Sequence, residues 1–228
     1  MRSPILALPL LLAACAAPSE SPDGFRSLFD GRSLEGWSAP DLSYFSVQDG
    51  AITGETTREH NPPRNQFLVW QGGAVRDFEL RFKFRIFGPK ANSGMQFRSS
   101  VREHGLVWGY QADIALAGPF LGGIWDEYGP RRSLAARGER VEIAEDGKRT
   151  VSKFEDPLAK GIDLAQWNDY RIVAVGPKIT LEINGKLCAE LVDREKDKAL
   201  SEGVLAMPII PGEPMKVQYK DLLLKVHR

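Results

Sequence analysis

The sequence predicts an all-β fold, a sandwich or jelly roll of two antiparallel sheets. Three observations lead there. Apolar and polar residues alternate with period two in one segment after another, the pattern of strands with one buried face. Asn-Gly and Asp-Gly pairs join such segments, and both positions of these pairs tolerate the positive φ of a tight hairpin. No window of helical length carries a convincing apolar stripe, while Gly, Pro and Asp punctuate the chain at short intervals.

The N-terminus stands apart from this pattern. Arg2 precedes an apolar run from Ile5 to Leu12 and the small-residue end Leu12-Ala13-Ala14-Cys15. That is the layout of a secretory signal, and it is too short to span a bilayer by itself. The Leu-Ala-Ala-Cys end resembles a bacterial lipoprotein lipobox. The resemblance implies removal of residues 1–14, lipidation of Cys15 and an acyl anchor in a lipid bilayer. With no acidic residue directly after Cys15, it further implies the cell envelope, either the outer membrane facing the periplasm or the cell surface. Residues 15–24, rich in Pro and Ser, read as a flexible tether. Residues 25–228 read as one domain, a length that β-rich folds reach without dividing.

Along that domain, VQDGAI (47–52) is a hairpin around Asp49-Gly50, and QFLVW (66–70) is a strand. In DFELRFKFRIF, Phe78, Leu80, Phe82, Phe84 and Ile86 alternate with Glu79, Arg81, Lys83 and Arg85, which read as a solvated face. SGMQFRS (93–99) and LVWGYQADI (106–114) follow as strands, then a loop over 122–132. A possible helical turn falls at Leu158–Ala165. YRIVAVG and KITLEINGKLCAEL form strands with a hairpin at Asn184-Gly185. VLAM (204–207) and MKVQYKDLLLKV (215–226) complete the set, the last changing phase near Lys220-Asp221 as a bulge would make it.

Two strands carry an informative polar face. With Met95 and Phe97 in the core, Gln96 and Arg98 point the other way. With Tyr110, Ala112 and Ile114 in the core, Gln111 and Asp113 do the same. Strands close in sequence are often neighbours, so these four form one expected patch. The following GGIWDEYGPRR brings Trp125, Asp126, Glu127, Tyr128 and Arg131 past its end. The alternative for Asp126 or Glu127 with Arg131 is a loop salt bridge, worth under about 1 kcal/mol if exposed. Trp37 and Trp167 are expected in the core.

Composition excludes several classes. Thirty Lys and Arg balance 30 Asp and Glu, so nothing steers the protein toward nucleic acid. The two cysteines are Cys15 and Cys188, and lipid on Cys15 leaves Cys188 without a partner, so the hydrophobic core has to hold the fold. No phosphate loop, nucleophile elbow or Cys-His pair is present. His60, His104 and His227 have no metal-ligand spacing. No cofactor is evident. A divalent cation on carboxylate oxygens of the polar patch is possible but not demanded.

The ordered motifs GFRSLFDGRSLEGWS (24–38), NSGMQFRS (92–99), GYQADI (109–114), IWDE (124–127), WNDY (167–170), ING (183–185) and GEPMKVQYKDLLLK (212–225) resemble the 3-keto-disaccharide hydrolase domain family. The resemblance implies a concanavalin/laminin-G-like jelly roll acting on glycosides whose ring is oxidised at C3. One departure stands out: members often show Gln-x-His before the final Gly-x-Pro-Met, where this chain has Pro208 and Ile210.

A ketone at C3 acidifies the C2 hydrogen. A base removes it, cations or donors stabilise the enolate, the C1 substituent leaves, and water adds to the enone. The candidate catalytic residues are Asp113 and Glu127 as acid and base in either order, with Arg98 as enolate stabiliser. Arg131 is a further cation. Trp125 or Tyr128 can stack on a sugar face, Gln96, Gln111 and Tyr110 can bond hydroxyls, and Asp126 and His104 complete the substrate-binding set. The same groove would serve a lectin-like carbohydrate-binding lipoprotein without catalysis.

Overall fold

The computed structural model describes residues 23–116 and 118–227. Cys15 and the signal sequence lie outside the described residues. The strands run as β1 (Arg26–Ser27), β2 (Trp37–Ser38), β3 (Phe45–Gln48), β4 (Ala51–Thr56), β5 (Gln66–Trp70), β6 (Phe78–Phe87), β7 (Asn92–Val101) and β8 (Val107–Ala115). They continue as β9 (Ile124–Glu127), β10 (Arg132–Ala135), β11 (Glu139–Ile143), β12 (Arg149–Lys153), β13 (Asn168–Val175), β14 (Lys178–Ile183), β15 (Lys186–Asp193), β16 (Val204–Ile209) and β17 (Met215–Val226).

They form two sheets. The ten-stranded sheet has the order β12-β11-β15-β14-β13-β6-β17-β4-β3, with β1 also against β17; the seven-stranded sheet has the order β10-β9-β8-β7-β16-β5-β2. Every ladder is antiparallel except β11–β15. The apolar half of the alternation in β6 is realised as read, with Phe78, Leu80, Phe82, Phe84 and Ile86 buried against the facing sheet. Each fully buried side chain of this kind contributes about 1.5–3 kcal/mol of hydrophobic stabilisation. Glu79, read as solvated, is instead buried beneath the Arg81 and Arg171 guanidinium groups that it accepts from. The Asp49-Gly50 and Asn184-Gly185 turns have positive φ at both positions, 52° and 72° in the first, 50° and 71° in the second. The β17 bulge falls where the phase change put it, with the register shifting between Lys220 and Leu223 and Asp221 at φ 53°.

The turn read at 158–165 is present and does not extend into a helix, because no apolar stripe offsets the entropy of ordering a helical backbone there. Two further expectations are corrected. The 122–132 stretch is a hairpin of β9 and β10, not a loop. Trp167 lies half-buried on the outward face of the ten-stranded sheet, its ring between the Arg85 guanidinium at 4.5 Å and the Lys220 ammonium at 4.3 Å. Trp37 is in the core as expected, with its indole N–H donating to the Leu28 carbonyl at 2.9 Å.

Two core tyrosines tie the sheets together beneath the polar patch. The Tyr219 hydroxyl donates to the Gly94 carbonyl at 2.9 Å and lies 2.8 Å from Ser93 Oγ. The Tyr170 hydroxyl reaches the Asp113 carbonyl at 3.4 Å and its ring stacks on Phe82 at 5.2 Å. Both span the core from the ten-stranded sheet to the β7–β8 pair. The backbone that carries Gly94 and Asp113 is thereby pinned from below.

Candidate functional site

The β7–β8 ladder pairs Gly94 with Asp113 and Gln96 with Gln111, and the β8–β9 ladder pairs Gln111 with Trp125 and Gly109 with Glu127. Strand alternation therefore places Gln96, Gln111, Asp113, Trp125 and Glu127 on one face, opposite the buried Met95, Phe97, Ala112 and Ile124. Each carboxylate stands across from a glycine. A Cβ on Gly94 would lie 2.7 Å from Gln111 Cγ, so the missing side chain is what lets Gln111 lie across β7.

The polar side chains form a continuous row. Ser99 Oγ donates to Gln96 Oε1 at 2.9 Å, Gln96 Nε2 to Gln111 Oε1 at 2.8 Å, and Gln111 Nε2 to Asp113 Oδ1 at 2.7 Å. The row is nearly sealed from solvent, Asp113 being 6% exposed. Burial, offset by the Gln111 amide and reinforced by the negative charge of Glu127, pushes the Asp113 carboxyl up to about 8. Glu127 is less buried and accepts from Asn65 Nδ2 at 3.1 Å. Its carboxyl is also raised, by burial first and by Asp126, against the Asn65 hydrogen bond. From the register the two carboxylates sit four β8 residues apart, about 13 Å along the strand at the backbone.

Aromatic rings stand at both ends of the row. Phe120 meets Trp125 edge-on at 5.8 Å beside Asp113. Trp108 stacks on Tyr128 at 5.6 Å beside Glu127, with Phe67 edge-on to the same tyrosine. Trp108 and Phe120 are 41% and 42% exposed, unusual for rings of this size. The Arg64 guanidinium acts electrostatically on the Tyr128 hydroxyl and supplies a cation at that rim. The cavity at Asp113 itself is small, about 30 Å³. Among the described residues no group of three or more His, Cys, Asp and Glu converges as metal ligands would.

The other candidates go elsewhere. Arg98 is not on this face. The β7–β8 register shifts between Phe97 and Ser100, Arg98 takes φ 48°, and its side chain turns to the edge of the sandwich. There it is 2% exposed, donating to the Arg76 and Gly176 carbonyls at 2.7 and 2.8 Å and to Asp77 at 3.0 Å. A guanidinium so used cannot stabilise an enolate beside Asp113. Tyr110 points into the core, its hydroxyl donating to Asp193 at 2.5 Å and accepting from the Leu200 N–H at 3.0 Å.

Asp126 and Arg131 also point inward. The Arg131 guanidinium donates to Asp126 at 3.2 Å, to Asp193 at 2.6 Å and to the Lys198 carbonyl at 3.2 Å, with its side chain 9% exposed. The salt-bridge alternative therefore describes Asp126 with Arg131, though as a buried network and not an exposed pair. Glu127 takes no part in it. His104 is exposed on the turn 103–105, at the end of the β7–β8 hairpin remote from Asp113. Sequence reasoning missed Asn65, Arg64, Phe120 and Trp108. Trp108 shares its parity with the core residues Tyr110, Ala112 and Ile114, so alternation alone does not mark it as exposed. Pro208 shares the outward face: Ala206 pairs with Gln96, and Pro208 follows two residues on. The departure from Gln-x-His thus falls within the site.

The sequence model of the 3-keto-alpha-glucoside-1,2-lyase-like domain matches residues 24–225. No protein of curated function matches the sequence. A structure from Parabacteroides distasonis assigned as a glycosyl hydrolase superposes with TM-score 0.59 at 17% identity, covering 90% of this chain and 95% of that one. A carbohydrate-binding module from Bacillus subtilis gives TM-score 0.53 at 14% identity, covering 83% and 95%. A Bacillus subtilis protein of unknown function with a galectin-like fold gives TM-score 0.56 at 11% identity, covering 86% and 92%. At such identities these likenesses establish the jelly-roll fold alone.

Proposed function

We propose that this chain, which belongs to the 3-keto-alpha-glucoside-1,2-lyase-like family, cleaves 3-keto-glycosides by eliminating the C1 substituent. The observation that carries the reading is the shared face: two carboxylates with raised pKa, a row of amides and exposed aromatic rings at both ends. Asp113 is the proton donor to the departing C1 oxygen, because its carboxyl stays protonated up to about pH 8. Glu127, more exposed and oriented by Asn65, is the base for the C2 proton, a role that requires the two side chains to lean toward one another along the strand to reach a single sugar ring. The electrons of the C2–H bond form the C1–C2 double bond as the C1–O bond breaks. Arg64, the cation at the Tyr128 rim, is the candidate for the enolate oxygen. Trp125 and Trp108 offer plates for the C–H faces of the sugar and its aglycone.

Incubation of the purified protein with a 3-keto-glycoside tests this. Aglycone release is expected, with the unoxidised glycoside left intact. Asp113→Asn and Glu127→Gln are each expected to lower the rate about 10²–10⁴-fold, the usual worth of a positioned acid or base.

A second reading, a carbohydrate-binding protein without catalysis, is favoured by Pro208 on the site face and by the closed amide row. Saturable binding of the 3-keto-glycoside with no turnover would establish it over the first. In either case the lipobox at Cys15 supports a lipid-anchored protein of the bacterial cell envelope.

A further inference from the structure

A much larger cavity than the one at Asp113 opens on the outward face of the ten-stranded sheet, across the core. It measures about 750 Å³, within the usual range for ligand sites. Its origin is topological. β17 pairs with β4 through Tyr219 and with β1 from Leu223 onward, and the Asp221 bulge lies between the two pairings. The β3–β4 turn at Gly50 and the segment around Asp30 border this notch, and Gly185 of the β14–β15 turn borders it across β6 and β13.

The floor is an ordered ladder of donors and acceptors. Glu79 accepts from Arg81 Nε at 2.6 Å and from Arg171 Nε at 2.7 Å, Arg171 Nη1 donates to Glu182 at 3.0 Å, and Lys83 donates to Asp169 at 2.6 Å. These bonds hold the side chains in place without saturating them. Among the described residues, Arg81 hydrogen-bonds Glu79 through Nε and lies over the Phe25 ring at 4.5 Å, leaving both terminal nitrogens to donate, while Glu182 and Asp169 each commit one carboxylate oxygen. Cations and carboxylates are nearly balanced, so no net field selects an anion. Arg81 lies beside Arg171 and Arg171 beside Glu182, while Lys83 lies beside Asp169. At the interstrand spacing of about 4.8 Å, both donors and acceptors face the cleft within reach of adjacent hydroxyls. Leu223, 36% exposed, and Phe29 add apolar surface for pyranose C–H faces.

We propose that this cleft is a second carbohydrate site, taking a neutral, unoxidised glycan independently of the Asp113 face. The site recognises vicinal hydroxyls through Arg81, Lys83 and Glu182, and it catalyses nothing. Titration of the intact protein with maltodextrin and with cellodextrin, followed by calorimetry and backbone amide shifts, tests it. At least one probe is expected to bind saturably, with shifts centred on Arg81, Lys83 and Arg171. Arg81→Gln combined with Lys83→Gln is expected to weaken binding roughly ten-fold or more, the worth of charge-assisted hydrogen bonds, while Asp113→Asn binds as the wild type does. Absence of binding by both probes overturns the proposal. So do shifts centred on Gln96 and Trp125, or loss of binding in Asp113→Asn. Should the double variant fold poorly, the shift map of the wild type decides. Failure to turn over a 3-keto-glycoside would refute the catalytic reading and leave this result standing.

Discussion

At the scale of single residues, the decisive group is Asp113. Its carboxyl is raised from the ordinary range to about 8, so the folded protein holds that proton more tightly than the unfolded chain does. The stability conferred by the protonated form is complete at acid pH and is lost as pH rises through about 8. An asparagine in its place would mimic the protonated state and keep an oxygen for Gln111 Nε2. Asp113→Asn is therefore expected to match the wild type in denaturant midpoint at acid pH and to exceed it above pH 8, by a few kcal/mol at most. Equal midpoints at both extremes would show that Asp113 ionises without cost. That Gln96, Gln111 and Asp113 share one face was legible from alternation and strand neighbourhood. Arg98 was not, although its position in the pattern is identical. A one-residue bulge at φ 48° inverts a side chain and leaves no mark in composition.

At the scale of elements, hairpins with Asn-Gly or Asp-Gly announced themselves, and β9–β10 did not. In Ile124-Trp125-Asp126-Glu127 the inward positions are an aliphatic and a carboxylate, so the polar-apolar code of a strand is broken by Asp126. That carboxylate is tolerated inside only because Arg131, reaching back from the far side of the turn, neutralises it at 3.2 Å. The β7–β8 pair shows the converse, a functional demand visible as an absence. Gly94 leaves the space that Gln111 fills, and a Cβ there would also lie 2.7 Å from the Ala112 carbonyl, which is backbone and cannot swing aside. Gly94→Ala is expected to cost about 1–3 kcal/mol by overpacking and to push Gln111 off Asp113. Since that amide lowers the Asp113 pKa, its loss moves the alkaline limb of the pH–rate profile upward. A destabilised variant with an unshifted profile would show that Gln111 packs beside Asp113 without setting its proton affinity.

At the scale of the whole molecule, the two faces are built by different logics, and this decides what a sequence can disclose. The seven-stranded face draws its amides and Asp113 from adjacent strands, so period two and neighbourhood suffice to assemble them. The cleft on the ten-stranded face joins segments near residues 30, 50, 81, 171 and 221, which only the crossing of β1, β4 and β17 brings together. The same crossing fixes how an anchor would act. Arg26 pairs with Leu224, so the first strand of the domain joins the ten-stranded sheet and not the sheet that carries Asp113. A tether from lipidated Cys15 would hold the ten-stranded sheet and leave the Asp113 face free for a soluble glycoside. Cys15→Ser, expressed in a bacterium that lipidates its envelope proteins, is then expected to leave the membrane fraction. Its turnover of 3-keto-glycoside, measured per mole of protein, should equal that of the anchored form. Retention of the variant in the membrane pellet would refute the acyl anchor, whereas release accompanied by altered turnover would mean that the attachment reaches the site.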